Sequence, residues 1–440
     1  MRTVIGFEPA KKLLLENRGL NLSDTAGSIS EFSEEIFGRK MTALQYVERI
    51  VDEVRVRGDE GLKDITRKIE GREISRFYLD RGETEKAYRR ISQDLRAALE
   101  SAASRVRSFH SKVLSSAWND ESEGYGIRSV PVGSAAAYVP GGTAKYPSTV
   151  LMTAIPAKVA GVSNVVIASP PDVSGVLPDS VLASAFIAGV DQIYPIGGAQ
   201  AIAALAYGTG SVQKVDVICG PGNIFVTLAK KLVYGDVGID GLYGPTETVV
   251  LADETSNATL CAADLIAQAE HDPLAKPVLI TTSKQLADRV TSELITRLQT
   301  LDRADIIEAS LRTQGVIAIV DDVNEGIELA NCFAPEHLCI ATKDPGTLLP
   351  QVKNAGMVFL GEFSHEVLGD YGAGPSHVMP TAGTARFNSG LGIHTFTKQI
   401  PIVSLPSQNA IEMTESVSVL AREEGLTGHA EAAEIRRELI

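Results

Sequence analysis

Four histidines of this chain stand beside a carboxylate, an amide or a glycine turn. They are His271 in Gln268-Ala269-Glu270-His271, His337 in Ala334-Pro335-Glu336-His337-Leu338, His377 at the end of Gly369-Asp370-Tyr371-Gly372-Ala373-Gly374-Pro375-Ser376-His377, and His429 in Glu424-Gly425-Leu426-Thr427-Gly428-His429. Imidazole and carboxylate are common ligands of Zn2+ and Mn2+. A neighbouring Glu and His can divide acid and base work near neutral pH. Together the four settings point to one metal and acid/base site. His365 beside Glu366 is a weaker fifth case, and His110 and His394 lack such surroundings.

Each setting also has a plain structural reading. Gln268 and His271 are three apart on a helical stretch, 262–271, and share its face. Gln is an uncommon zinc ligand, however, and a histidine at a helix C-terminus already suits the dipole. Glu336 and His337 follow Pro335 at a helix-to-strand junction, either as an acid/base pair or as a hydrogen-bonded strand entry. Asp370 and His377 bracket a glycine-rich loop that is either functional or a solvated turn. Glu424 and His429, taken alone, read as a solvated helix end. Cys219 before Gly220 invites a thiolate that captures an aldehyde, against the plainer role of a small residue ending a buried strand. Pro140-Gly141-Gly142-Thr143-Ala144 and Gly220-Pro221-Gly222-Asn223 each follow a strand and could admit a phosphate to a helix N-terminus. Neither spells G-x-G-x-x-G, and no P-loop is present.

The elements that must position these residues alternate. From Thr42 to about Val113 the chain is charged and helix-periodic; from Ser134 short β-type runs alternate with longer amphipathic ones. Strands are expected at 135–139, 164–168, 192–195 and 215–219, then at 248–252, 278–282, 316–320, 338–341 and 357–360. The fold class is therefore α/β: two Rossmann-like open parallel-sheet domains with a helical N-terminal region and a small helical C-terminal tail. The expected boundaries are 1–133 for the helical region, packing partly on the second α/β domain, 134–245 and 246–389 for the two α/β domains, and 390–440 for the tail. A tail that small holds no core of its own and must dock, for which a second subunit is the natural candidate.

Composition narrows the partners. For a chain of 440 residues with 44% apolar content, a net charge of −14 argues against nucleic-acid or anionic-membrane partners, which need a concentrated basic face. Four cysteines without a C-x-x-C pair suggest reducing cytosol. No apolar leader opens the sequence and no run approaches the ~18 residues of a membrane span. A cytoplasmic location is expected.

With these residues laid out, the chain resembles the histidinol dehydrogenase family from Tyr138 to His429. The resemblance rests on Tyr138-Val139-Pro140-Gly141-Gly142-Thr143-Ala144, on the run from Gly197 to Thr209, on Gly220-Pro221-Gly222-Asn223, and on the histidine motifs above. It implies a zinc-dependent homodimer that oxidises L-histidinol to L-histidine, the last step of histidine biosynthesis, reducing two NAD through a bound aldehyde. Carried over by motif, Gln268, His271, Asp370 and His429 hold the zinc, with His429 contributed across the dimer interface. Glu336 and His337 are the catalytic pair. Thr246, His377 and Glu424 contact substrate along with His337 and the zinc set, and Tyr138, Gln200 and Asn223 contact NAD. Departures exist: Tyr243-Gly244-Pro245-Thr246-Glu247 stands where the family commonly has Ala-Gly-Pro-Ser-Glu, and Ser364-His365-Glu366 and Ile393-His394-Thr395-Phe396 are less typical. Two alternatives follow, a related zinc and NAD dehydrogenase of another polar alcohol such as a sulfonated diol, and a zinc hydrolase in which Glu336 activates water.

Overall fold

The computed structural model describes residues 1–16, 18–20, 26–113, 117–141, 145–172 and 174–439. Among the described residues fourteen strands occur in chain order: β1 Arg2–Ile5, β2 Trp118–Asp120, β3 Tyr125–Pro131, β4 Ser134–Tyr138, β5 Asn164–Ala168, β6 Gln192–Tyr194, β7 Val217–Cys219, β8 Gly238–Ile239, β9 Glu247–Ala252, β10 Lys276–Thr281, β11 Val316–Ile319, β12 His337–Ile340, β13 Met357–Leu360 and β14 Thr397–Val403. They form a five-stranded sheet ordered β6-β5-β4-β7-β8, a six-stranded sheet ordered β1-β11-β10-β9-β12-β13, and a three-stranded sheet ordered β14-β3-β2. The first two are parallel throughout and the third is antiparallel.

In the first parallel sheet the strand period of two divides alternate residues between two buried faces. Ala136 and Tyr138 of β4 join one core with helices Ala43–Glu70, Gly198–Tyr207 and Ile224–Val233. Ala135 and Ala137 join another with helices Gln93–Ser111, Pro147–Ala160 and Asp179–Ala188. Burial on both faces is why these strands read as continuous apolar runs. The second parallel sheet repeats the plan. Val250, Leu279, Ile317 and Cys339 face helices Ala258–Ala269, Lys284–Leu298 and Ala304–Thr313. Val249, Leu251, Ile280 and Leu338 face helices Phe7–Leu15 and Val323–Phe333.

By compactness the chain divides into two units, Met1–Lys112 with Val132–Phe396, and Val113–Pro131 with Thr397–Ile440. The first holds both parallel sheets. The second holds the antiparallel sheet and helices Ser407–Glu423 and Thr427–Glu434. Two expectations change at this level. The amino-terminal region is not purely helical, because β1 pairs along β11 as an edge strand of the second sheet and β2 and β3 lie in the second unit. The tail after 390 is not purely helical either, because β14 pairs along the whole of β3. β14 is exposed along nearly its whole length and carries Pro401, which an edge strand tolerates; without a buried face it shows no apolar alternation to read.

His110 ends helix Gln93–Ser111 at 1% exposure, and neither ring nitrogen has a hydrogen-bond partner among the described residues. Burial, aided by nearby His394, holds its pKa down at about 4. The unfolded chain takes up this proton near the ordinary value and the folded chain only well below it. This residue's contribution to stability is therefore whole above ~6.5 and declines, by at most ~1.4 kcal/mol per pH unit, as pH falls toward the folded value. His110→Leu should flatten that limb. Urea midpoints of both proteins at about pH 7 and about pH 5 test it, and an equal acid loss in both would count against the assignment.

Candidate active site

The amino-terminal edge of the second sheet gathers most of the chemistry. His337 opens β12 and lies between Thr248 of β9 and Met357 of β13. Thr246 immediately precedes β9, and Gln268 sits in the last turn of helix Ala258–Ala269, which ends on this same edge. Ligands of open α/β sheets ordinarily bind at the carboxyl ends of strands. Here a helix-to-strand junction supplies the residues, and such junctions lie at the opposite edge.

Glu336 and His337 are 8% and 2% exposed, and Gln268 is 1% exposed. Glu247 N–H donates to Glu336 Oε2 at 3.1 Å, and the Thr246 hydroxyl lies between the same oxygen and Gln268 Oε1, 2.7 Å from the latter. One hydroxyl proton serves one of these acceptors at a time. His337 Nδ1 is 3.3 Å from Gln268 Nε2, 3.4 Å from the Glu247 carbonyl and 3.7 Å from Glu336 Oε2. His337 Nε2 is buried without a hydrogen-bond partner among the described residues and faces Asp370 Oδ1 at 3.6 Å, while the ring stacks on Phe359 at 5.9 Å.

Burial pushes the Glu336 carboxyl up to about 7, against the pull of His337, Thr246 and the Glu247 N–H. Burial acts to lower the pKa of His337, but Glu336, Asp370 and Glu366 override it and the imidazole is raised. For Asp370, burial acts upward and is overcome by His337, so that carboxyl is lowered. Asp370 closes the short helix Glu366–Tyr371, and its carbonyl accepts from His377 Nδ1 at 2.9 Å. His377 Nε2 meets Thr149 Oγ1 at 3.2 Å, on a helix packed against the first sheet. Both nitrogens of His377 are therefore engaged within the chain. His271 is exposed, close enough to Asp370 and His337 to feel their charges. Glu424 and His429 are exposed residues of the second unit.

Glu366 is the residue the sequence reading undervalued. It is fully buried, accepts from Thr248 Oγ1 at 2.7 Å, has Cys339 Sγ at 3.8 Å, and leaves Oε1 without a hydrogen-bond partner among the described residues. Burial raises it to about 8. The pair His365-Glu366 was the available signal, but it drew attention to the histidine.

The first sheet presents its carboxyl edge. Tyr138 ends β4 and Asn223 follows β7, at the point where strand order reverses. The Gly198 N–H donates to Tyr138 Oη at 3.0 Å, and Gln200 Nε2 donates to Glu70 at 2.8 Å. Asn223 is exposed and caps helix Ile224–Val233 by accepting from Phe225 and Val226 N–H groups. Gly220 has φ 101°, and a Cβ there would lie 2.2 Å from the Tyr138 carbonyl, so only glycine fits this turn. The buried pair Lys230 and Asp240 holds it: Lys230 Nζ donates to the Gly220 carbonyl at 2.9 Å and Gly220 N–H donates to Asp240 at 2.7 Å. Of the other strand-to-helix turn, Gly142, Thr143 and Ala144 lie outside the described residues. Cys219 is fully buried, which raises its thiol well above the usual range and removes the thiolate reading.

A family model described as histidinol dehydrogenase matches residues 38–437. The chain belongs to the histidinol dehydrogenase family. A histidinol dehydrogenase of Dehalococcoides mccartyi is 45% identical over 442 residues, covering 100% of both chains. One of Thermus thermophilus is 47% identical over 399 residues, covering 90% of this chain and 95% of its own. The crystal structure of histidinol dehydrogenase from Elizabethkingia anophelis superposes with a TM-score of 0.88 at 30% identity, covering 100% of this chain and 98% of that one. Membership makes the chain a dehydrogenase and leaves the hydrolase alternative without support. Among the described residues no helix is long and apolar enough to cross a membrane.

The donor set can be weighed against the zinc that the sequence resemblance implies. Gln268 and Asp370 converge on His337 from two sides, and His271 lies near Asp370. Amide oxygen, imidazole and carboxylate are the mixed N and O donors that suit a borderline divalent ion. Among the described residues no group of three or more His, Cys, Asp or Glu is placed to hold a metal ion, so these residues fit only as part of a site completed by a further ligand.

Three carboxylates around one imidazole give a direct test. Glu366→Gln removes one negative charge while keeping an acceptor for Thr248, so His337 should titrate at lower pH in metal-free protein. Nitrogen NMR of the histidine rings measures this, and an unmoved His337 would separate Glu366 from the site.

Proposed function

We propose that the chain oxidises L-histidinol to L-histidine through a bound aldehyde, with two NAD and one zinc per site, in a cytoplasmic homodimer. The observation that supports it most is the buried group of Glu336, His337 and Gln268 at one sheet edge, with Asp370 beside it, within a member of this family.

His337 takes the alcohol proton at its imidazole as the first oxidation proceeds, and Glu336 takes a proton from water as the aldehyde is hydrated for the second. Burial suits Glu336 to this, since a carboxyl raised to about 7 is a usable base at neutral pH. The Thr246 hydroxyl and the Glu247 N–H orient its Oε2. Thr246 retains the hydroxyl that Ser offers in the family's common motif and adds a methyl. Bound at Gln268, His271, Asp370 and a partner's His429, zinc would orient the substrate and offset the carboxylates that keep His337 protonated, while NAD at Tyr138, Gln200 and Asn223 would accept the hydrides.

His377, engaged by Asp370 and Thr149, would contact substrate by its ring edge and fix the carbonyl of a metal-binding residue. Glu424 and His429, exposed on the second unit, are assigned to the site of the other subunit.

Absorbance of NADH after adding L-histidinol to the zinc-loaded protein tests the reaction. Two NADH per histidinol are expected, and none from folded protein would sink the reading. His337→Asn should lower kcat ~100-fold or more while histidinol still binds. Mixing inactive His337→Asn and His429→Asn proteins through dissociation and reassociation should restore about a quarter of wild-type activity, because half of randomly paired dimers are mixed and each carries one intact site. No recovery from reassorted dimers would exclude the crossed His429.

A further inference from the structure

Arg18 lies on no regular element, yet its side chain is 7% exposed and its partner Glu247 is 1% exposed. The guanidinium meets both carboxylate oxygens of Glu247, with Nη2 at 2.8 Å from Oε2. It also donates to two backbone carbonyls, from Nε to Phe333 at 3.0 Å and from Nη2 to Ala334 at 3.2 Å, and packs over the Phe333 ring at 3.8 Å. Only a planar fork with several donors can serve a carboxylate and two carbonyls together.

What those acceptors carry gives the contact meaning. Ala334 ends helix Val323–Phe333 in the left-handed region, at φ 51° and ψ 66°, a conformation that non-glycine residues keep only when their surroundings enforce it. Two residues later the chain delivers Glu336 and His337. The backbone of Glu247 touches both of them, its N–H donating to Glu336 Oε2 and its carbonyl lying 3.4 Å from His337 Nδ1. Its carboxylate further accepts from the N–H of Ala382, the other non-glycine residue at positive φ among those described.

We propose that Arg18 is a positioning residue for the catalytic pair. Its fork fixes the Ala334 turn and the Glu247 backbone against each other, so that Glu336 and His337 enter the site in one orientation. This rests on the roles given to Glu336 and His337 above.

A purely structural anchor and a positioning residue differ in what they change. Arg18→Met should lower kcat for histidinol ~10- to 100-fold, the scale of a small misplacement of catalytic groups. KM for histidinol, zinc content and the circular dichroism of the purified enzyme should stay close to wild type. Arg18→Lys, which keeps the charge beside Glu247 without the fork, should recover part of that loss. Wild-type kcat per folded, zinc-loaded Arg18→Met protein overturns the proposal, as does a loss confined to folded fraction. Where Arg18→Met does not fold, Arg18→Lys decides by the same split, and unchanged kcat in it overturns the proposal. Glu336→Gln and His337→Asn measured in parallel keep the two readings apart: if both stay active the proposed function itself fails, whereas if both are inactive and the Arg18 variants are normal only the positioning role falls.

Discussion

Glu336, His337 and Glu366 are held where almost no water reaches, with Asp370 beside them. Charges in such a place are costly unless other groups stand in for the lost solvent. The surrounding structure supplies those groups: the Thr246 and Thr248 hydroxyls, the Glu247 N–H and the Gln268 amide. Among the described residues that compensation is incomplete, since His337 Nε2 and Glu366 Oε1 find no hydrogen-bond partner there. Three carboxylates face one imidazole, and this excess of acid lifts the pKa of His337 against the effect of burial.

The two parallel sheets share one strand order, but they offer opposite edges. In the first, Tyr138 and the Gly220 turn occupy the carboxyl edge at the reversal of strand order, the position that admits a dinucleotide. In the second, Thr246, Gln268 and His337 occupy the amino edge. The Thr149–His377 contact joins a helix of the first sheet's layer to the loop after Asp370. The proposed hydride acceptor on one edge and the proposed proton-handling groups on the other would suit repeated oxidation of one bound substrate.

The parallel sheets were legible from the sequence because burial on both faces writes apolar runs between Gly, Pro and Asp breaks. β5 and β13 fall where that pattern put them, and helices begin at Asp179, Gly198 and Lys284 as expected. β1 and β14 were not legible, being exposed edge strands whose partners lie hundreds of residues away. At the site, the motifs around Glu336 and Gln268 could be seen because both partners of each contact with His337 sat in recognisable settings. Glu366 could not: nothing local shows that its carboxylate is buried beside His337, since that depends on β9 and β12 pairing over nearly ninety residues of chain. Arg18 was invisible for the same reason, as its acceptors follow it by more than two hundred residues.

Two buried ion pairs now stand in parallel. Lys230 and Asp240 hold the carbonyl and N–H of Gly220, at φ 101°, three residues before Asn223. Arg18, paired with Glu247, donates to the carbonyl of Ala334, at φ 51°, two residues before Glu336. Stability alone does not account for such pairs, since well-packed apolar side chains of similar volume often serve a core equally well. Each instead fixes a backbone turn that local preference would not choose, immediately ahead of side chains assigned to chemistry. An apolar replacement could fill either space, but it could not tell the chain which way to leave the turn.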